Sequence, residues 1–456
     1  MQALERVPGS GKVAWYRLTT LLISVVAVAK AGLATLPNWK AFPGWEVYWI
    51  AQSFVAGKGY SFPSGHVWLY EFVDSNPSLR ITDGSFHLTA WADPLYTFCL
   101  AGFIWLFGDY HQLAAAIFTL ILMLAVLWIT HRLCERLISP AAGVVAVLVL
   151  VSGRVFMEAT QTMTNAMLAA ALVALSALML VRFLEEPSNR RACALGLVLG
   201  LTALGCPTTQ LFLPVTAAAV AVWGWKNHRP AVAQALLMLI AAAVVVMPWT
   251  VRNYMAFGEV VPVRTGYGQI AFMGIVASGG TVEPERLRSH LKPPWSAETP
   301  RDAVRKIIHP PRFREQAALE RFQLDYAKEL AGAEYLAMNE AQRDAWYLRE
   351  TKAFLVSNLV LSARVAIANT EAFVRLVGGS LGVLVCLLAA LGGVLGIRKP
   401  GVLILALWVG AFVGPFLIAL CYYGRYRSPI EPILAVLAVF AVWRVRDLIL
   451  RGAAAR

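Results

Sequence analysis

The chain has 456 residues, of which 58% are hydrophobic and 15% charged, and its mean hydropathy is +0.61. A soluble domain carries about 25% charged residues, so this composition excludes a single soluble core of this size. The net charge of +13 is compatible with nucleic-acid binding, but most lysines and arginines lie in short segments between apolar runs. That distribution is typical of the topology signals of membrane proteins, so we expect no nucleic-acid partner.

Ten apolar runs approach the length needed to cross a bilayer, about 20 residues. They cover residues 13–36, 110–130, 140–156, 162–183, 192–206, 210–225, 231–251, 376–397, 401–422 and 429–445. If the basic clusters between runs face the cytoplasm, all ten runs span the membrane and both termini are cytoplasmic. The first run exceeds the apolar core of a signal peptide, about 7–15 residues, and is predicted to be an uncleaved span.

Two further segments are predicted to lie in the membrane interface. Residues 94–108 are too short to span and rich in aromatic side chains, and residues 354–374 are amphipathic, with an eleventh span as the alternative. The predicted organisation is a first span (1–36), an extracytoplasmic loop (37–109), six spans (110–251), a second extracytoplasmic region (252–375), and C-terminal spans with a cytoplasmic tail (376–456). The six cysteines are widely spaced and are interpreted as apolar packing residues.

The first loop contains a candidate catalytic helix. Residues 45–56 have helical spacing with Glu46 in the first turn, and Gly57 and Gly59 are predicted to end the helix. The helix dipole favours a carboxylate at this position and keeps it ionised. These residues alone are equally compatible with a carboxylate that only stabilises the helix N-terminus.

Five segments together resemble the GT-C class of glycosyltransferases, and within it the protein O-mannosyltransferases and the lipid A aminoarabinose transferases. They are Glu46 and Tyr48 followed by Gly57-Lys58-Gly59-Tyr60, then Asp93-Pro94-Leu95-Tyr96, Gly200-Leu201-Thr202-Ala203-Leu204-Gly205-Cys206-Pro207, Pro248-Trp249-Thr250-Val251-Arg252-Asn253-Tyr254, and Gly424-Arg425-Tyr426-Arg427-Ser428-Pro429. In the predicted topology all five segments lie at the outer membrane surface.

The resemblance implies an all-α polytopic membrane protein with the GT-C fold, about ten transmembrane helices and extracytoplasmic interfacial helices. It implies a glycosyltransferase that takes its sugar from a polyprenyl-phosphate donor and passes it to a lipid, glycan or protein acceptor. The family's catalytic acid falls on Glu46, which would accept the proton of the acceptor hydroxyl. A single displacement on the phosphate-activated sugar would invert its anomeric centre.

An anionic leaving group requires cations, and arginine can hold phosphate oxygens through two parallel hydrogen bonds. Arg252, Arg425 and Arg427 are therefore the predicted donor-phosphate ligands, with anchoring of span ends as the alternative for each. We expect Glu46 and the C-terminal arginine pair to share one cavity. The other predicted substrate-binding residues are Tyr48, Lys58, Asp93, Tyr96, Glu158, Asn165 and Tyr426.

Three positions depart from the family's pattern. Asn165 stands where many relatives carry a second acid, and Cys206 stands where the family often has arginine or lysine. Asp93 stands where the family often has proline or lysine, and Glu158 is a candidate replacement for the missing acid. The departures indicate altered recognition of donor or acceptor, or a loss of activity.

Two other functions share these features: a transporter or flippase for lipid-linked sugars, and a ligase or polymerase of surface polysaccharide. A carrier needs no general base, and the clear spans contain no mid-span acid of the kind that proton-coupled carriers use. His66, His87, Asp83 and Asp93 match no compact metal motif, so we expect no metal and no cofactor. The topology favours a multi-pass protein of a bacterial inner membrane with an extracytoplasmic active site.

Overall fold

The computed structural model describes a mostly helical chain with one short β-hairpin. The described residues are 10–41, 46–63, 86–162, 164–226, 230–277, 331–332, 334–335, 337–357, 359–371, 373–374, 379–417 and 426–454. Most of the segment 300–348, which is predicted to be helical, lies outside them, as do Trp45, His66, Asp83, Cys421 and Arg425.

The elements of the first half include the hairpin and the first helices of the bundle. They are α1 (Ser10–Thr35), α2 (Glu46–Val55), β1 (Ser61–Pro63), β2 (Phe86–Leu88), α3 (Pro94–Phe107), α4 (His111–Leu137), α5 (Pro140–Ser152), α6 (Arg154–Glu158), α7 (Ala166–Glu185) and α8 (Asn189–Gly205). The two strands are antiparallel, with Ser61 opposite Leu88.

The second half continues the bundle and adds helices outside it. They are α9 (Phe212–Lys226), α10 (Ala231–Phe257), α11 (Tyr267–Ala277), α12 (Glu340–Ser357), α13 (Leu359–Glu371), α14 (Gly379–Leu395), α15 (Pro400–Val413) and α16 (Glu431–Ala454). Together the two halves place a helix at each of the ten predicted apolar runs.

Several of these helices are long and apolar enough to cross a membrane, which confirms the all-α polytopic membrane class. Among the described residues, five segments qualify: Gly11–Thr35, Pro94–Leu137, Ala166–Glu185, Ala231–Phe257 and Pro400–Leu417. The pair Pro140–Ser152 and Arg154–Gln161, which is bent by 66°, counts as a sixth if it forms one broken span. The number of ten spans, the interfacial placement of α3 and the possible eleventh span at α13 stay predictions.

Ion pairs join helix ends at the end of the bundle where α4 finishes. Arg17 and Arg132 contact Glu135 at 2.6 and 2.8 Å, and Arg136 pairs with Glu185 at the end of α7. The basic clusters predicted to face the cytoplasm around residues 132–136 and 182–191 therefore lie at one end of the bundle. This is the arrangement that positive-inside topology requires.

The centre of the bundle is occupied by the first half of α16. Residues 431–441 are all buried, which means that neighbouring helices cover every face of these three turns. After residue 441 the helix emerges, and Val442, Leu448 and Ile449 are exposed. The five described cysteines are free and are buried or half-buried, as expected for packing residues.

Candidate functional site

The candidate catalytic helix forms as predicted from the sequence. The described helix α2 begins at Glu46 and ends at Val55, and Gly57 and Gly59 follow with φ angles of 75° and 71°. The Glu46 side chain is half-buried and makes no hydrogen bond with the described residues. Its proposed role as the general base stays a prediction.

Arg252, near the end of α10, fastens both ends of the hairpin. Its guanidinium donates to the carbonyl oxygens of Tyr60 at 2.8 Å and Thr89 at 2.7 Å. The same group lies 5.3 Å from the Tyr60 ring and 5.0 Å from the Trp249 ring. Since its hydrogen bonds already serve the backbone, Arg252 is better suited to hold the loop than to bind a phosphate.

Asp93 stands at the head of α3 but does not cap that helix. Pro94 occupies the first helical position, which needs no hydrogen-bond acceptor for its nitrogen, and the Asp93 side chain makes no capping bond. The carboxylate instead accepts a hydrogen bond from the side-chain amide of Asn165 and forms an ion pair with Arg264 at 3.4 Å. Because Asp93 is buried, these partners offset the cost of removing its charge from water.

The residues that follow α10 bring Arg264 to this point. Gly258 ends the helix with a φ of 69°, a left-handed conformation that glycine adopts without strain and that turns the chain back. We call residues 258–267 the return segment. Asn253 donates to the carbonyls of Val261 and Val263 at 3.0 and 3.2 Å, and Trp249 donates to Val263 at 2.6 Å. These bonds hold the return segment against α10.

Arg264 is the cation of the site. Its Nε donates to the Thr265 carbonyl at 3.1 Å, and its guanidinium lies 5.8 Å from the rings of both Trp91 and Tyr267. Burial disfavours its charge, but Asp93 and nearby tyrosines outweigh burial and raise the pKa of Arg264. Among the described residues, Nε and one Nη1 proton of Arg264 have acceptors, and its other three N–H groups have none.

The three positions that depart from the family's pattern meet around this cation. Asn165 contacts Asp93 and also donates to the carbonyl of Gly205 at 3.0 Å, immediately before Cys206. Tyr426 is half-buried and lies near enough to Arg264 to contribute to its raised pKa. The structure thus brings together Asp93, Asn165 and Tyr426, which the sequence predicts as substrate-binding, with Arg264, which it misses. We call Asp93, Asn165 and Arg264 the Asp93–Arg264 site.

Other predicted residues have different surroundings. Arg427 is 1% exposed, and its Nε lies 2.6 Å from the carboxylate of Glu431, so a phosphate would have to displace that partner. No described contact joins Glu46 to Arg427, and Arg425 lies outside the described residues. The shared cavity expected for Glu46 and the C-terminal arginines is therefore not seen in the described part of the chain.

The remaining predicted residues lie on the surface or in packed regions. The Tyr48 hydroxyl forms a hydrogen bond of 2.9 Å with the His111 ring. Tyr96 is buried among apolar side chains of α2, α3 and α4. Lys58 is exposed, and Glu158 forms an exposed ion pair with Arg154 at 2.5 Å. Their predicted roles in substrate binding stay predictions.

Helix α12 contributes two acids that the sequence did not single out. Glu340 accepts hydrogen bonds from Thr89, Ala90 and Thr265, and Asp344 accepts from the backbone of Gly268 and Gln269. Burial raises the pKa of both carboxyl groups. The only sequence signal was the spacing of two acids by one helical turn, which is common on solvated helices.

A groove of about 680 Å³ lies beside the site. Apolar side chains form most of its wall, and Arg252 is its one charged lining residue among those described. Tyr60 separates the groove from the site, because its ring lines the groove while its hydroxyl donates to the Ala92 carbonyl at 2.9 Å. The other lining residues include Phe54, Phe98, Leu204, Trp249 and Met255.

Comparison with known proteins agrees with the resemblance found in the sequence. Residues 92–251, about a third of the chain, match the family described as "Dolichyl-phosphate-mannose-protein mannosyltransferase". No curated protein matches the chain in sequence. The resemblance to GT-C class membrane glycosyltransferases is confirmed.

Among solved structures, the chain is similar to the archaeal oligosaccharyltransferase AglB from Archaeoglobus fulgidus in complex with an inhibitory peptide and a dolichol-phosphate. That match has a TM-score of 0.50 at 11% identity and covers 97% of this chain and 51% of AglB. The chain thus spans about half the length of that protein. ArnT from Cupriavidus metallidurans bound to undecaprenyl phosphate matches with a TM-score of 0.36 at 15% identity, over 96% of this chain and 78% of ArnT.

Proposed function

We propose that this chain, which has the GT-C fold and matches the mannosyltransferase family over residues 92–251, is a glycosyltransferase. It takes a sugar from a polyprenyl-phosphate donor and passes it to an extracytoplasmic acceptor hydroxyl by a single inverting displacement. The description of the matching family, which names a dolichyl-phosphate donor, supports a donor of this chemical class.

The observation that carries the proposal is the ion pair between buried Asp93 and half-buried Arg264 beside an apolar groove. A polyprenyl-phosphate sugar has an anionic head and a long hydrocarbon tail, so it needs a cation next to an apolar surface. Arg264 has N–H groups to spare among the described contacts, whereas Arg252 and Arg427 are engaged with carbonyl groups and with Glu431. We therefore assign the donor phosphate to Arg264.

The groove is suited to the polyprenyl tail. Phe54 and Met255 on its rim are 42% and 81% exposed, which is expected where a protein surface meets lipid rather than water. Its wall reaches Tyr60, which is hydrogen-bonded to the residue before Asp93. A tail in the groove would therefore place the phosphate next to the Asp93–Arg264 site.

Glu46 is the proposed general base for the acceptor hydroxyl. The residues after it, Val47 and Trp49, pack against the same apolar cluster as Trp91, whose ring faces the Arg264 guanidinium. The head of α2 and the Trp91 ring thus belong to one hydrophobic cluster. Asp93 then serves to orient Arg264.

The first test measures binding of undecaprenyl phosphate to the purified chain in nanodiscs, with tryptophan fluorescence as the signal. Arg264→Ala removes a charge-assisted contact of about 1.5–3 kcal/mol, so the dissociation constant should rise about 10- to 100-fold. Arg349→Ala, an exposed arginine of α12, is the matched control and should leave it unchanged. An unchanged dissociation constant for Arg264→Ala would remove the phosphate from this site.

The second test compares the masses of surface glycolipids and glycans in cells with the wild-type chain, with Glu46→Gln, and without the chain. A sugar that is missing without the chain names the donor and the acceptor. The Glu46→Gln variant should lose that sugar while it still binds undecaprenyl phosphate, because the base acts on the acceptor. A variant that retains full transfer would favour a carrier, which needs no base.

A further inference from the structure

We infer that Glu340 and Asp344 of α12 are positioning residues that hold the Asp93-bearing and Arg264-bearing segments in the geometry needed to bind the donor phosphate. The effect on donor binding rests on the proposed function. The clamp, by which we mean the hydrogen bonds of Glu340 and Asp344 to the two segments, rests on the observed contacts alone. The two acids lie one helical turn apart, so they face the same side of α12.

Glu340 bridges the two segments that carry the site. Its Oε2 accepts from the Thr89 hydroxyl at 2.8 Å, and its Oε1 accepts from the Ala90 N–H at 3.0 Å and from the Thr265 hydroxyl. Thr89 and Ala90 precede Asp93 by only a few residues, and Thr265 directly follows Arg264. One carboxylate therefore joins the two segments that carry Asp93 and Arg264.

The same two segments also contact each other. The Thr265 N–H donates to the Ala90 carbonyl at 3.0 Å, directly beside the carboxylate. Together with the hydrogen bonds that hold the return segment against α10, this bond places the two segments side by side. The three bonds to Glu340 add direct links between the segments and so help to set the separation of Asp93 and Arg264.

Asp344 secures the start of α11, directly after the return segment. Its Oδ1 accepts from the backbone N–H groups of Gly268 at 2.7 Å and Gln269 at 3.1 Å, which lie in the first turn of α11. A carboxylate is favoured at a helix N-terminus, where backbone N–H groups lack partners within the helix. Tyr267, whose ring faces Arg264, begins this helix, so Asp344 fixes one wall around the cation.

The fit between α12 and α11 is tight enough to need a glycine. A Cβ at Gly268 would overlap the backbone carbonyl of Asp344 and approach the Leu348 nitrogen at 2.8 Å. Any larger residue would separate the helices and break both Asp344 hydrogen bonds. The close backbone approach at Gly268 and the hydrogen bonds of Asp344 thus occur at the same contact between α11 and α12.

Nearby arginines add electrostatic attraction to the hydrogen bonds of the two acids. Arg343, which lies between them in sequence, is attracted to Glu340, and its guanidinium lies 4.9 Å from the Tyr335 ring. The partners of the acids are hydrogen-bond donors of the site-bearing segments. A purely helix-stabilising or solvated role would not place five such donors on two side chains.

The experiment uses Glu340→Met and Asp344→Leu in the full chain, with Glu350→Met of the same helix as the matched control. Each substitution replaces the acceptor oxygens by apolar atoms of similar volume, so the hydrogen bonds are lost without a large cavity. The first readout is hydrogen–deuterium exchange of peptides covering residues 86–93 and 258–269 in the ligand-free protein. Faster exchange of both peptides in Glu340→Met, and of the second in Asp344→Leu, is expected.

The second readout is the dissociation constant for undecaprenyl phosphate, measured well below the melting temperature. We expect it to rise about five- to tenfold in both variants, with the control unchanged. In a double-mutant cycle, Thr265→Val should add little to Glu340→Met, because both remove the same hydrogen bond. A merely structural role would change the melting temperature and leave the affinity of the folded protein intact.

The outcomes separate the clamp from the function. Unchanged exchange in the variants, or changed exchange with an unchanged dissociation constant, overturns the positioning role. If the wild-type chain does not bind undecaprenyl phosphate, the proposed donor is wrong, and the exchange readout alone then decides whether the acids hold the two segments together.

Discussion

The side-chain amide of Asn165 donates a hydrogen bond to the carboxylate of Asp93, although 72 residues separate them in the chain. The contact joins the head of α3 to the head of α7, and the same amide group also reaches the end of α8 at Gly205. A neutral donor at position 165 supports the charge of Asp93, whereas a second acid there would oppose it. The acid at position 93 and the amide at position 165 both depart from the family's pattern, and the amide stabilises the acid's charge.

Replacement of Asn165 by aspartate should destabilise the site. The change removes a donor from a buried carboxylate and places a second carboxyl against it, and like charges disfavour ionisation of one of them. We expect a loss of about 1–3 kcal/mol, measured as a lower melting temperature. The matched control is Asn189→Asp, an exposed residue at the start of α8, which should be neutral.

The reciprocal exchange tests whether the pair is the cause. Asp93→Asn combined with Asn165→Asp keeps one carboxyl and one amide, so it should recover part of the stability lost in Asn165→Asp alone. A double variant less stable than either single variant would contradict the proposed compensation.

Arg427 should behave as half of a buried ion pair. Replacement of Arg427 by methionine leaves Glu431 without its partner in the bundle, at a cost of about 3–5 kcal/mol. Adding Glu431→Leu should restore much of the thermal stability, because the unpaired charge is then removed. The exposed Arg446→Met serves as control, and a melting temperature equal to that of Arg427→Met would show that the pair is unimportant.

Gly268→Ala should weaken the contact between α11 and α12. Its Cβ would overlap the α12 backbone, and inserting a methyl group into a packed contact costs about 1–3 kcal/mol. Gly102→Ala in α3 is the control, since a Cβ at that position meets nothing within 4 Å and alanine favours a helix. Equal melting temperatures for the two variants would show that α12 can shift freely.

The stability contributed by Glu340 should depend on pH. Burial raises its folded-state pKa, so its favourable contribution is complete below the ordinary glutamate pKa of about 4.3 and decreases as pH rises through the raised value. Glu340→Gln has no such titration. The melting temperature of wild type minus that of Glu340→Gln should therefore fall with rising pH over this window, and a difference that grows would contradict the assignment.

The helices of the bundle could be predicted from the sequence because hydropathy and basic residues act locally. The ten apolar runs, the helix that begins near Glu46 and the short helix after Pro94 all depend on neighbouring residues. The same holds for the glycine end of α2. The resemblance to the GT-C class rested on short motifs of this kind and is confirmed.

The contacts of the site could not be predicted from the sequence, because they depend on which segments meet in space. Arg264 follows the Pro248–Tyr254 motif by only ten residues, but its importance depends on the turn at Gly258 and on Asp93, 171 residues earlier. Arg252 and Arg264 look alike as isolated arginines. Only their partners distinguish Arg252, which fastens the hairpin, from Arg264, to which we assign the donor phosphate.

The buried half of α16 has a consequence for biogenesis. Residues 431–441 fill the middle of the bundle, so the faces of earlier helices that pack against them stay uncovered until this segment reaches the membrane. Until then their inner faces must be covered by lipid or by an insertion factor. Partly translated chains should therefore be sensitive to proteases and to quality-control machinery, and resistance should be acquired in one late step when this segment inserts.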